Sequence, residues 1–250
     1  MTTSSPMRTM IRPFAIMAAL AAPAVADEAQ EHFVAANIIS IFYHELGHAV
    51  IDVEGLPIYG QEEDAADVFS IFMIDALFEQ DAAEALAYDA AWGFLAEAEA
   101  RDAAAEDIAW WGVHAPDEQR FYNTACLFFG ADPGARSEFA DFVELPEDRR
   151  ETCAEEYDQA NHAWGAVLDR MAARGPADTL MMADNDGSLT ALLVAEEAAA
   201  LNAQFQLARP VTITIESCGE ANAFYDPDTS EIVMCAEFED YLRELANLLE

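Results

Sequence analysis

His44, Glu45 and His48 stand in the run H-E-L-G-H, whose spacing can do chemistry. On a helix that turns about 100° per residue, His44 and His48 lie one above the other, so both imidazoles can reach a single metal ion. Glu45 is one step round the helix. There its carboxylate is poorly placed as a further ligand but able to take a proton from water at an open coordination position. Two histidines leave a catalytic zinc site one protein ligand short. After a turn marked by Gly55, Pro57 and Gly60, a second helical pattern begins at Glu62-Glu63-Asp64-Ala65-Ala66-Asp67 and returns acids to the first helix. Glu62, Glu63 and Asp64 are rival third ligands. Glu63 is preferred because it alone is followed four residues later by an acid on the same face. That acid, Asp67, can accept the remaining N–H of a ligand histidine and fix its tautomer. The expected set is one Zn2+ ion on His44, His48 and Glu63, with Asp67 behind a histidine and Glu45 as general base for hydrolysis of a peptide or protein substrate.

Ile41, Phe42, Leu46, Ala49 and Val50 surround the motif with apolar surface, where histidines and a glutamate are costly without a metal or partners. The H-E-x-x-H and E-x-x-x-D pairing resembles the gluzincin group of zinc peptidases. From about residue 33 to the C-terminus the chain is also similar to a bacterial family classed as metallopeptidases, whose members join H-E-x-G-H-A-x-I-D to G-x-E-E-D-x-A-D. The matching stretches are HELGHAVID, GQEEDAAD, HAPDEQRFYNTACLFFGADP, LPEDRRETCAEEY and CGEANAFYDPDTSEIVMCAEF. One position departs: the family's C-Y-E after the last strand is Cys235-Ala236-Glu237 here. The resemblance implies peptidase activity and brings no substrate with it.

Other polar residues carry weaker signals. His114, just before Pro116-Asp117-Glu118-Gln119-Arg120, can either donate to the oxyanion formed when water attacks a carbonyl or support the helix that follows. Tyr122 and Tyr225 are alternatives for that donor. Arg120 is expected in an internal ion pair, and His32 and His162 are assigned no role. The alternative function is a cell-envelope protein that binds zinc without catalysis, or one that binds protein partners through its acidic surface.

Residues 1–26 contain Arg8 and Arg12, the apolar run Phe14–Leu20 and Ala24-Val25-Ala26, which together resemble a signal peptide cleaved after Ala26. A periplasmic or secreted location is the consequence. No other segment is expected to approach the roughly 20 apolar residues of a membrane span, so the mature chain should have none. An oxidising compartment suits four cysteines, paired in sequence order as Cys126–Cys153 and Cys218–Cys235 among three arrangements. A second zinc site made from them is disfavoured by the lack of a C-x-x-C pair. Removing the leader takes away two of the 11 basic residues and none of the 48 acids, moving the formal charge from −37 to −39. Such a field excludes ordinary nucleic-acid binding and repels anionic lipid. It suits a solvated surface in salty surroundings more than it dictates a mechanism.

The chain from 27 to 250 is expected to form one metallopeptidase-like domain. Its fold class is α+β and mostly helical: a zincin-like pair of active-site helices with a small C-terminal antiparallel sheet. Helical patterns cover about 30–53, 62–87, 90–111, 117–129, 147–173, 188–205 and 237–249, with strands near 210–217, 222–226 and 231–235. Pro227-Asp228-Thr229-Ser230 is expected to turn a hairpin. If that hairpin packs beside the His44–His48 helix, its edge around Asn222–Tyr225 either binds an extended peptide or only closes the core.

Overall fold

The architecture follows from a helix that is apolar all round. From Phe33 to Ile51 nearly every residue of α1 (Val25–Glu54) is buried, and a helix without a polar face belongs at the centre of its bundle. The computed structural model describes residues 25–183 and 186–249. Around α1 it arranges α2 (Glu62–Leu77), α3 (Gln80–Ala103), α4 (Asp117–Ala131), α5 (Ser137–Phe142), α6 (Glu147–Ala173), β1 (Leu180–Met182), α7 (Leu189–Asn202), β2 (Val211–Glu216), β3 (Ala223–Asp226), β4 (Glu231–Cys235) and α8 (Phe238–Ala246). α2, α3, α7, α8, β3 and β4 all pack on α1, while α4 and α6 form an outer layer over α2. The leader expected at 1–26 lies, apart from Val25 and Ala26, outside the described residues.

The protein is mostly helical with a small sheet near the C-terminus. The sheet is mixed rather than wholly antiparallel, in the order β1-β2-β4-β3. β1 and β4 run parallel to β2, and only β3 and β4 form an antiparallel hairpin. Two things the sequence pattern did not reveal account for this: β1, joined to β2 through α7 as a parallel pair, and the pairing of β2 with β4 rather than with β3, which is also parallel. Residues 227–230 do turn the hairpin.

Two further boundaries differ from expectation. The helix expected over 62–87 breaks at Phe78–Glu79, where no glycine or proline stands. Arg136 holds the break by bonding Asp75 at 2.5 Å on one side and Gln80 at 3.0 Å on the other. Residues 104–116, expected to continue a helix to 111, form an irregular loop. The expectation that no segment after the leader could pass for a membrane span also needs correcting. Glu28–Glu54 is long and apolar enough by composition, but its most apolar window is 89% buried within the bundle, which accounts for its hydropathy.

Disulfides secure the outer layer and the sheet. Cys126 is joined to Cys153 between α4 and α6, and Cys218 to Cys235 between the loop after β2 and the end of β4.

Candidate metal centre

α1 and α2 approach closely because Gly47 faces α2. A Cβ there would lie 3.1 Å from the Ala66 Cα and 3.2 Å from the Phe69 ring. Gly47 therefore brings the first turn of α2, with Glu62, Glu63 and Asp64, against the histidine face of α1. Acids in that turn also complement the helix dipole.

The Nε2 atoms of His44 and His48 are 3.2 Å apart, and each is 3.2 Å from Oε2 of Glu63. The other face of each ring is occupied. His44 Nδ1 lies 2.7 Å from Asp67 Oδ1, and His48 Nδ1 lies 2.8 Å from Glu62 Oε1. A carboxylate can only accept, so both Nδ1 atoms carry protons, and in the neutral rings both Nε2 lone pairs point at the Glu63 oxygen. Three acceptors facing one another repel unless a cation or proton lies between them. A tetrahedral ion at about 2.0–2.1 Å from each ligand needs ligand separations of about 3.3 Å, so the triangle fits a small divalent metal. Among the described residues, His44, His48 and Glu63 are the group that could hold such an ion.

Charge supports the same reading. Burial alone would lower the pKa of His44, but hydrogen bonds to Asp67 and Glu63, and the charges of Asp67 and Glu45, raise it to about 9. His48 is raised by Glu63 and Glu62 against the same burial cost. Hydrogen bonds from His114, His44 and His48 hold Glu63 far below the usual carboxylate range. Burial would raise Asp67, yet Arg120, which clamps both its oxygens at 2.8 Å, and His44 keep it ionised. Without a metal, this nest of carboxylates holds protons where a cation would sit. Glu45 is buried beside the histidines. Desolvation pushes its pKa up, opposed by His44 and His48.

His44, His48 and Glu63 line a cleft of about 790 Å³, whose walls also include Glu45, Ile51, Asp52, Leu56, His114 and residues 222–225. His114 Nε2 is 2.8 Å from Oε2 of Glu63. The chain matches the family model described as "putative metallopeptidase" over residues 12–168 and 184–248. It belongs to that family. No curated protein and no solved structure matches it.

In this metallopeptidase-family chain, sequence spacing brought out His44, Glu45, His48, Glu63 and Asp67, and the fold gathers all five. Of the rival acids, Glu62 instead supports His48, and Asp64 faces a separate groove between α2, α4 and α6. Tyr225 lines the cleft, whereas Tyr122 lines another groove beside Arg149. Arg120 is an internal ion-pair former. His32 bonds Asp89 at 2.5 Å, and His162 is exposed.

Two residues, Asp52 and Arg209, escaped the sequence reading, as did the role of Glu62 beside His48. Asp52 continues the His44, His48 stripe by one more turn, accepts from the Tyr225 hydroxyl at 2.5 Å and pairs with Arg209, so it ties β3 to α1. The i+4 spacing after His48 was the available signal. Glu62 could have been found by asking which acid serves the second histidine.

Proposed function

We propose that the chain is an exported zinc-dependent peptidase of the gluzincin type, with one ion held by His44, His48 and Glu63. The observation that carries this reading is the triangle of ligand atoms, each 3.2 Å from the other two, on residues that line an open cleft beside Glu45. Two imidazoles and one carboxylate are a donor set suited to catalytic zinc. Bound zinc supplies Lewis acidity, bringing the pKa of water at its open position toward about 7.

The chain's own groups do the rest. Glu45 takes the proton of the attacking water and passes it to the leaving amine, a role suited to a buried carboxyl whose pKa is raised. Asp67 and Glu62 keep the Nδ1 protons of His44 and His48 in place, so both Nε2 lone pairs stay directed at the ion. His114 donates to the carbonyl oxygen as negative charge develops there. Peptide alignment falls to β3. The bond from Cys235 N–H to the Asn222 carbonyl sets the hairpin register, so the backbone N–H and C=O of Tyr225 and the C=O of Ala223 point to the open edge. The Ala223 N–H is already taken by the Asn222 side chain at 2.9 Å. An extended peptide adding to this edge would lie along the cleft. Export with cleavage after Ala26 is supported by the leader-like composition and by two disulfides.

The test is zinc content and peptide hydrolysis for the unmodified protein and Glu45→Gln. Both should hold about one zinc per chain, and the variant should lose about 100- to 10,000-fold in rate, the usual range for a general base. Zinc bound by both with no hydrolysis of a peptide library by either would favour the non-catalytic alternative. N-terminal sequencing of exported protein should begin at Asp27.

A further inference from the structure

The most exposed large apolar side chains among the described residues are Tyr59 (96%), Trp111 (89%) and Trp110 (77%). Each is three or four residues along the chain from one that lines the metal cleft, and chain reach keeps it within about 14 Å of that residue. Tyr59 lies between Leu56 and Glu62, which line the cleft, and the two tryptophans shortly precede His114, which enters it. The tryptophan loop is braced at its base. Arg101 near the end of α3 bonds Glu118 at 2.5 Å and Asp117 at 3.3 Å at the start of α4. Its tip is turned by bonds from Trp110 N–H to the Ile108 carbonyl and from Gly112 N–H to the Ala109 carbonyl. Water is a poor environment for two adjacent indoles, and a braced loop that exposes them just ahead of a cleft-lining histidine marks a contact surface. Phe224, 41% exposed, adds an aromatic ring on the β3 wall.

Resting on the peptidase reading, we propose that this aromatic rim selects the substrate: it binds large apolar side chains of an extended polypeptide flanking the bond to be cut. Continuity with the cleft through His114 favours this occupant. A formal charge of −37 on each chain opposes a second copy and an anionic membrane. Cationic peptides are drawn to the molecule as a whole, but the rim itself offers rings rather than carboxylates. The substrate class is therefore unfolded or extended chain rich in Leu, Phe and similar residues, which folded proteins keep inside.

The experiment compares two labelled peptides of equal length and charge, one carrying Phe and Leu and the other Ser and Thr at the same positions. Binding to the zinc-loaded protein, with Glu45→Gln in every sample to prevent cutting, is followed by fluorescence anisotropy, with and without Trp110→Ser/Trp111→Ser. The apolar peptide should bind the protein with both tryptophans about tenfold more tightly, a typical value for one or two aromatic contacts, and the double variant should lose most of that preference at unchanged zinc content. Equal affinities for the protein with both tryptophans, or a preference that survives in the variant, overturns the proposal. So does sedimentation of the unmodified protein with zwitterionic phosphatidylcholine vesicles that the variant abolishes, because the rim would then serve lipid. Should the double variant misfold by circular dichroism, Tyr59→Ser tests the same rim and should weaken the preference. Binding is read without turnover, so the tenfold preference together with no hydrolysis by the Glu45-bearing protein would defeat the peptidase reading alone.

Discussion

Each of the two proposed ligand histidines has its own carboxylate, and the two carboxylates differ. Asp67 is enclosed and clamped by Arg120, whereas the Glu62 side chain is 49% exposed. Three alanine variants should therefore fail in order. Glu63→Ala removes a ligand and should leave almost no zinc. Asp67→Ala should weaken zinc about 10- to 100-fold, and Glu62→Ala by less, since water can replace an exposed acceptor. Chelator competition measures all three. An unimpaired Glu63→Ala beside a failing Glu62→Ala would reassign the third ligand. The raised His44 pKa gives a second expectation. Below about pH 9 the metal-free site holds a proton that metal must displace, so apparent zinc affinity should climb by up to about tenfold per pH unit and level off above that. Stability of the apoprotein should run the other way. A pKa raised from 6.5 to about 9 contributes stability that is complete below pH 6.5 and fades as pH rises through 9. Thermal midpoints of apoprotein at pH 6.5 and 9.5 check the sign. His44, Glu45, His48, Glu63 and Asp67 were legible because helical periodicity relates neighbours four apart. Arg120 on Asp67 joins residues 53 apart, and no local pattern announces such a contact.

At the scale of elements, the glycine of H-E-L-G-H works on packing rather than chemistry. Gly47→Ala gains about 1 kcal/mol of helix propensity but sets a methyl 3.1 Å from the backbone of Ala66. The two effects oppose each other in stability, while displacement of α2 carries Glu63 away from the histidines. Zinc affinity should therefore fall more than the thermal midpoint does. Equal zinc affinity in Gly47→Ala would show that α2 has room to adjust. The pattern of what could be foreseen is physical. α1, α4 and α6 were legible from apolar periodicity and polar flanks. The break at Phe78–Glu79 was not, because Arg136 enforces it from far along the chain. β1 was too short to announce itself, and no local pattern shows that β2 pairs with β4 rather than with its sequence neighbour β3, so the sheet looked antiparallel.

For the whole molecule, a charge of −37 and no lysine make self-repulsion a standing cost of compactness. The screening length falls from about 10 Å at 0.1 M salt to about 3 Å at 1 M, so the thermal midpoint should rise over that range. A fall would mean that the arginine–carboxylate pairs, rather than repulsion, dominate the electrostatics. The composition thus speaks about medium, and the site about chemistry; neither property could have been inferred from the other.

The proposed metal ligands and their carboxylate partners lie within residues 44–67, whereas the opposite wall of the cleft comes from residues 222–225. A chain synthesised from its N-terminus therefore completes the proposed ion-binding hairpin long before it has anywhere to hold a peptide. Short-range closure of α1 on α2 is also the faster event, since distant strands must first be brought together. Newborn chains are thus expected to pass through an interval in which they are loaded but cannot cut, a delay that protects them and their neighbours while unfolded segments are abundant. In refolding, zinc uptake should precede recovery of hydrolysis; simultaneous recovery would remove the interval.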